Sequence, residues 1–246
     1  MITLSGISKR FGTNSILHGL SLDVPEGSNT MLLGYSGTGK SVTLKLIAGL
    51  LTPDEGTVTI DGTAVDPDDP EGLVEQRRRL AYVFQFAALF DSMTVAENLR
   101  LGLVRQELAE DEIEARVFEA LKVVGLEDAA EQYPAELSGG MRKRVGIARA
   151  IALRPRYILY DEPTTGLDPV TSAVIDELMM RTRDLGATGL VVTHDLRSAF
   201  TVGDRIAMLY DGKIRQVGTP DEIRQTTDPV VRQFIEGRPS RNGAGQ

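Results

Sequence analysis

Residues 34–41 read Gly-Tyr-Ser-Gly-Thr-Gly-Lys-Ser, an uninterrupted G-x-x-x-x-G-K-[ST] spacing. Glycines at these intervals let the backbone curl until successive N–H groups converge, which suits the oxygens of a nucleotide phosphate. Lys40 then reaches the β- and γ-phosphates, and the Ser41 hydroxyl becomes a ligand for Mg²⁺. Gly34, Tyr35, Ser36, Gly37, Thr38, Gly39, Lys40, Ser41 and Val42 are therefore candidate nucleotide contacts. Further on, the apolar run 157–160 ends in Asp161 and Glu162. A strand beside a phosphate loop that ends in two carboxylates can offer Asp161 to Mg²⁺ and Glu162 to an attacking water as general base. A third element is Leu137-Ser138-Gly139-Gly140-Met141. Ser138 is a good N-cap, and the glycines after it expose N–H groups at the positive end of a helix. That makes two anion-binding elements in one chain, and a single phosphate cannot occupy both.

These residues need a scaffold, and the pattern around them supplies one. The apolar run 29–33 precedes the phosphate loop, and apolar residues at helical spacing follow it through Leu51, so the loop joins a strand to a helix. Residues 1–24 alternate in strand fashion, with turns at Gly12-Thr13-Asn14 and Pro25-Glu26-Gly27. Further strands are expected at 57–60, running into Asp61-Gly62, and at 81–84 after three successive arginines. From 86 to 137 the character turns helical and acidic. Thr94 and Glu97 form a capping box, and Ile113, Val117, Leu121 and Val124 make an apolar stripe. Strands at 157–160, 189–192 and 205–209 then alternate with helices near 139–153, 170–185 and 196–202. The alternation predicts an α/β fold with a mainly parallel sheet, an N-terminal antiparallel β-subdomain and an inserted helical subdomain at about 86–153. The expected layout is one domain over 1–237 and a disordered Gly/Ser/Asn-rich tail over 238–246.

Composition narrows the function. The 246 residues carry a net charge of −8, which argues against general affinity for nucleic acid. Between Glu107 and Glu136, ten acidic side chains face only Arg116 and Lys122. The stretch reads as a solvated helical face, with docking of a basic partner the alternative. The absence of cysteine rules out disulfides and thiolate metal sites, as befits a cytosolic protein. No apolar run approaches the roughly 18 residues of a membrane span, and no signal-peptide pattern opens the sequence.

The Leu-Ser-Gly-Gly run, with the phosphate loop and the Asp-Glu strand end, resembles the ATP-binding cassette (ABC) ATPases, and the likeness covers about residues 1–225. It implies ATP hydrolysis with Mg²⁺ held by Ser41, Asp161 and Gln85, partly through water. It also implies a head-to-tail homodimer, in which Ser138, Gly139, Gly140 and Met141 close over nucleotide bound to the other subunit. Gln85 matches the glutamine that senses Mg²⁺ and the membrane partner, and His194 the switch histidine at the γ-phosphate. Phe11 matches the aromatic that stacks on adenine. Asp168, before Pro169, matches the D-loop and is equally a good N-cap.

Three departures narrow the likeness. Val42 stands where a threonine is usual, Met141-Arg142-Lys143-Arg144 replaces a glutamine-containing continuation, and the segment after Gln85 runs Phe-Ala-Ala-Leu-Phe-Asp-Ser-Met-Thr-Val-Ala-Glu-Asn. Together they resemble the ATPase of bacterial MCE-type phospholipid transporters. That implies separate integral permease subunits, an MCE-type substrate-binding partner, and a peripheral place on the cytoplasmic face of the inner membrane. Phe86, Leu89, Phe90 and Met93 are then expected near the surface of the insert, where a short permease helix could dock; the alternative is that they are its core. Three other readings stay open: an ABC importer subunit for another small substrate, an ABC ATPase of DNA repair or translation, and a phosphate-loop kinase.

Overall fold

A computed structural model describes residues 1–238. The N-terminal alternation forms β1 (Ile2–Phe11) and β2 (Asn14–Val24), which pair antiparallel; β4 (Glu55–Ile60) and the short β5 (Thr63–Ala64) complete this sheet in the order β2-β1-β4-β5. The second sheet is built on β3 (Asn29–Leu33), β6 (Leu80–Val83), β7 (Tyr157–Asp161), β8 (Thr188–Thr193) and β9 (Arg205–Tyr210), all parallel. β10 (Lys213–Gly218) adds an antiparallel edge, giving the order β10-β9-β3-β8-β7-β6.

β3, β7 and β8 are buried at every position, as parallel strands covered on both faces must be. The strand period of two divides their side chains between two cores. Leu32, Leu159 and Leu190 join the β-subdomain and α1 (Lys40–Ile47) on one side. Met31, Leu33, Ile158, Tyr160 and Val191 pack on the other side, mainly with five of the remaining helices. Those are α3 (Val95–Leu103), α4 (Glu110–Val124) and α5 (Gly139–Ala152), all between β6 and β7 in the chain, and α6 (Pro169–Asp184) and α7 (Leu196–Val202) after it. The predicted stripe Ile113, Val117, Leu121 and Val124 is the buried face of α4. Both arms of the Thr94–Glu97 capping box form at the start of α3.

Three helices were not legible beforehand. α2 (Pro70–Arg78) buries only Leu73 and Gln76, so it shows no apolar stripe. α8 (Pro220–Arg224) and α9 (Pro229–Ile235) are single short segments opened by Thr219-Pro220 and Asp228-Pro229 caps. The strand before the insert stops at Val83, so Gln85 sits in the following turn. Of the expected tail, Arg238 is ordered by its ion pair to Glu236 at 2.8 Å and by donating its N–H to the Gln233 carbonyl, and 239–246 lie outside the described residues.

The turn after Gln85 is fixed from two sides. Asn98, fully buried, accepts the Phe90 N–H at 2.8 Å and faces the carbonyls of Phe90, Met93 and Thr94 at 2.9–3.2 Å. Arg149 of α5 donates to the carbonyls of Ala87 and Ala88 at 2.7 and 2.8 Å, and both alanines have left-handed backbones. Asn98→Ala strips several backbone groups of their partner at once. It should cost about 2–3 kcal/mol of stability, measurable as a lowered urea midpoint.

Candidate active site

β3 delivers the chain to the phosphate loop, and α1 starts immediately after Gly39. Gly39 has φ +104, and a Cβ there would stand 2.7 Å from Leu17 Cδ2 and 2.9 Å from Ile16 Cγ2, so only glycine fits. The Lys40 side chain is only 6% exposed; its ammonium donates to the Gly34 carbonyl at 2.8 Å and the Tyr35 carbonyl at 3.0 Å. Glu162 Oε1 lies 3.7 Å away. Burial draws the lysine below its ordinary pKa, and the charges of Glu162 and Asp161 offset part of that. The ammonium is thus folded back over its own loop. A phosphate entering there offers it a charge-assisted bond stronger than those carbonyls give.

The two carboxylates at the end of β7 do different jobs. Asp161 Oδ1 accepts the Ser41 hydroxyl at 2.8 Å, and Oδ2 accepts the Tyr82 hydroxyl at 2.9 Å. Two adjacent hard oxygen donors, Ser41 and Asp161, fit Mg²⁺, which binds through one or two carboxylates plus substrate phosphates. Among the described residues, no group of three or more His, Cys, Asp or Glu side chains could hold a metal. Glu162 has a left-handed backbone, φ +49, a conformation that costs about 1–3 kcal/mol outside glycine. It is held there by its N–H on the Val192 carbonyl at 2.9 Å and by the Thr165 hydroxyl on Oε2 at 2.9 Å. His194 Nδ1 stands 2.8 Å from the same Oε2. Phe11, Ser36, Lys40, Gln85, Glu162 and His194 all line one cleft of about 370 Å³, with the Phe11 ring 47% exposed at its mouth.

Two neighbours had no role in the sequence reading. Tyr82 of β6 lies two residues before Phe84, just past the strand end, and their rings stack with centroids 4.3 Å apart. Desolvation, with the charge of Asp161, pushes the Tyr82 phenol above its ordinary pKa, so it stays a donor to that carboxylate. Lys143, noted only as a departure in the signature, is turned inward and donates to the Glu162 carbonyl at 3.3 Å. Burial lowers its pKa, against the opposing charge of Glu162. An apolar neighbour at period two was the signal for the first; nothing local marked the second.

The signature residues lie elsewhere. Ser138 caps α5 by accepting the Met141 N–H at 3.2 Å, and Asp168 caps α6 through the N–H groups of Val170 and Thr171 at 2.9 and 3.0 Å. Both border a second cavity of about 510 Å³ that also takes in Gly139, Gly140 and Met141. It shares no lining residue with the first. The fold therefore assembles the phosphate loop, Asp161, Glu162, Gln85, His194 and Phe11 in one cleft, and leaves Ser138 to Met141 and Asp168 outside it.

A family profile described as ABC transporter matches residues 17–165. The chain belongs to the ABC transporter ATP-binding family. It is 42% identical, over 96% of its length and 69% of the relative's, to a probable ribonucleotide transport ATP-binding protein, mkl, of Mycobacterium leprae. It is 41% identical to a spermidine/putrescine import ATP-binding protein, PotA, of Haemophilus influenzae, over 96% of this chain and 62% of that one. It is also 39% identical to protein TRIGALACTOSYLDIACYLGLYCEROL 3, chloroplastic, of Arabidopsis thaliana, over 96% of this chain and 74% of that one. Among solved structures, a dimeric ATP-binding cassette in a post-hydrolysis state bound to ADP and Pi superposes with a TM-score of 0.81 at 35% identity, covering 89% of this chain and 99% of that one. This ABC protein is an ATPase whose hydrolysis is coupled to transport, and none of its described helices is long and apolar enough to cross a membrane.

Lys40→Ala removes the buried ammonium and leaves the loop glycines in place. Nucleotide affinity should fall at least about tenfold, the scale of a charge-assisted hydrogen bond. Calorimetric titration with ADP reads it, and unchanged affinity would remove the phosphate-loop assignment.

Proposed function

We propose that this ABC ATPase works as a head-to-tail homodimer and energises movement of phospholipid between bacterial membranes. It would do so through separate permease subunits, from the cytoplasmic face of the inner membrane. The observation that carries the dimer is the separation of the two anion-binding elements. Ser138, Gly139, Gly140 and Met141 line no part of the cleft that holds their own chain's phosphate loop, which supports their closing over nucleotide held by a second copy, with Asp168 beside them. Within each composite site Phe11 packs on adenine, and Lys40 and the loop N–H groups hold the phosphates. Ser41, Asp161 and Gln85 would hold Mg²⁺, partly through water, and the ion would supply charge neutralisation at the phosphates. Glu162 takes a proton from water as its oxygen attacks the γ-phosphorus and ADP leaves, while His194 orients Glu162 and meets the γ-phosphate.

Support for a permease is the aromatic edge beside Gln85. Phe86 is 85% exposed and Phe90 50%, and both stand on the turn pinned by Asn98 and Arg149. Leu89 packs against the helix-side core and Met93 is half-buried, which leaves Phe86 and Phe90 for the docking face. For lipid as cargo, the support is the three sequence departures and a relative whose name contains that of a galactolipid. A second reading, import of another small substrate, is favoured by the relative named for spermidine and putrescine import. Co-purification from membranes, with mass spectrometry of the permease and its bound lipid, separates the two. A permease without an MCE-type partner or lipid ends the phospholipid reading and leaves the ATPase untouched.

Glu162→Gln keeps the shape and removes the base, so hydrolysis should drop roughly 10²- to 10⁴-fold with binding retained. MgATP should then trap a dimer of doubled mass in light scattering. Ser138→Arg should bind ATP and stay monomeric; ATP-driven dimers of that variant would refute the composite site. Phe86→Glu should weaken permease attachment by about 1.5–3 kcal/mol, the value of one buried aromatic side chain, while the isolated subunit still binds ATP. Loss of both properties together would mark Phe86 as core.

A further inference from the structure

The phosphate loop touches a part of the chain two hundred residues away. Tyr35, its second residue, meets Phe234 of α9 edge to face, with ring centroids 4.9 Å apart and planes at 85°. The same Tyr35 is the hub of the loop's internal bonding. Its carbonyl accepts the Thr38 hydroxyl at 2.9 Å and the Lys40 ammonium at 3.0 Å, and the Thr38 N–H points at it from 3.4 Å. The Tyr35 carbonyl thus shares with that of Gly34 the resting place of Lys40, and the Tyr35 side chain packs against α9.

α9 is itself firmly seated. Asp228 accepts the N–H groups of Val230 and Val231 at 2.9 and 3.1 Å, and Arg215 of β10 donates to its other oxygen at 2.8 Å. Val231 and Ile223 are fully buried, and Phe234 and Tyr35 pack against the same core. β10 is paired to β9, and β9 lies beside β3, the strand that ends in the loop. Phe234 therefore stands on the sheet that carries the loop, and presses on it from the side opposite the β-subdomain.

We propose that Phe234 is a positioning residue for nucleotide binding: through its edge-to-face contact with Tyr35 it holds the phosphate loop in its cradle conformation, which makes the C-terminal helix part of the nucleotide site. The inference rests on residues 34–42 being the phosphate site.

The test is calorimetric binding of ADP to the full chain, with steady-state ATPase kinetics alongside, for Phe234→Ala, Phe234→Leu and Phe234→Tyr. Lys40→Ala serves as the reference for the loop itself. Phe234→Ala should bind ADP about three- to tenfold more weakly, the scale of one aromatic pair, and raise KM for ATP with kcat at saturation nearly unchanged. Phe234→Leu, which keeps apolar burial and folds if burial is all that is needed, should show the same loss. Phe234→Tyr should restore affinity. In a Tyr35→Ala background, Phe234→Ala should have no further effect on affinity. Wild-type ADP affinity in folded Phe234→Ala, full rescue by Phe234→Leu, or additive losses with Tyr35→Ala would each overturn the proposal and reduce Phe234 to a core residue. If Lys40→Ala binds ADP normally, the phosphate-loop reading itself has failed and the positioning role falls with it.

Discussion

A charged ammonium taken out of water must find compensation inside the protein, and Lys40 is such a group. Its partners are two loop carbonyls and the carboxylate of Glu162, and they come from opposite sides of β8. The sheet must therefore bring the ends of β3 and β7 level with each other. Its register does so: Leu33 pairs with Thr193, and Asp161 with the preceding Val192. Flush strand ends let Asp161 accept the Ser41 hydroxyl and bring Glu162 within 2.8 Å of His194. Glu162 can then be kept in its left-handed backbone by bonds to Val192 and Thr165. Ligand pockets of open parallel sheets lie beyond the carboxyl ends of the strands, and here the electrostatics of one lysine explain why the geometry there is so exacting.

The insert solves a different problem. It carries the Ser138-capped start of α5, and the same helix reaches back with Lys143 to the Glu162 carbonyl and with Arg149 to the turn after Gln85. Ser138, the Glu162 carbonyl and the turn that carries Phe86 are thus all tied to one helix. The Tyr82–Phe84 stack gives β6 its own link to Asp161.

Some of this could be read without coordinates because short-range physics wrote it into adjacent residues. The phosphate loop needs glycine where φ is positive. Ser138, Thr94 and Asp168 cap helices within three residues of themselves, and buried parallel strands read as unbroken apolar runs. The elements that went unseen are those with little periodic signal: α2 with two buried residues, and α8 and α9, too short for a stripe. The strand expected over 81–84 stops at Val83, where its pairing with Tyr160 ends, so Phe84 already leaves the sheet.

The amino-acid sequence by itself determined the chemistry: a phosphate loop, a strand ending in Asp161 and Glu162, and a capped double-glycine turn, each complete within a few residues of chain. The tertiary structure alone decided which of them meet. It gathered Phe11, Lys40, Gln85, Glu162 and His194 in one cleft beyond the strand ends, kept Ser138 to Met141 and Asp168 apart in another cavity, and laid Phe234 against Tyr35. The reason is that caps and glycine turns are set by local backbone sterics and hydrogen bonding. Strand order, register and long-range side-chain contact are set by burying two cores at once, and no window of the sequence contains that condition.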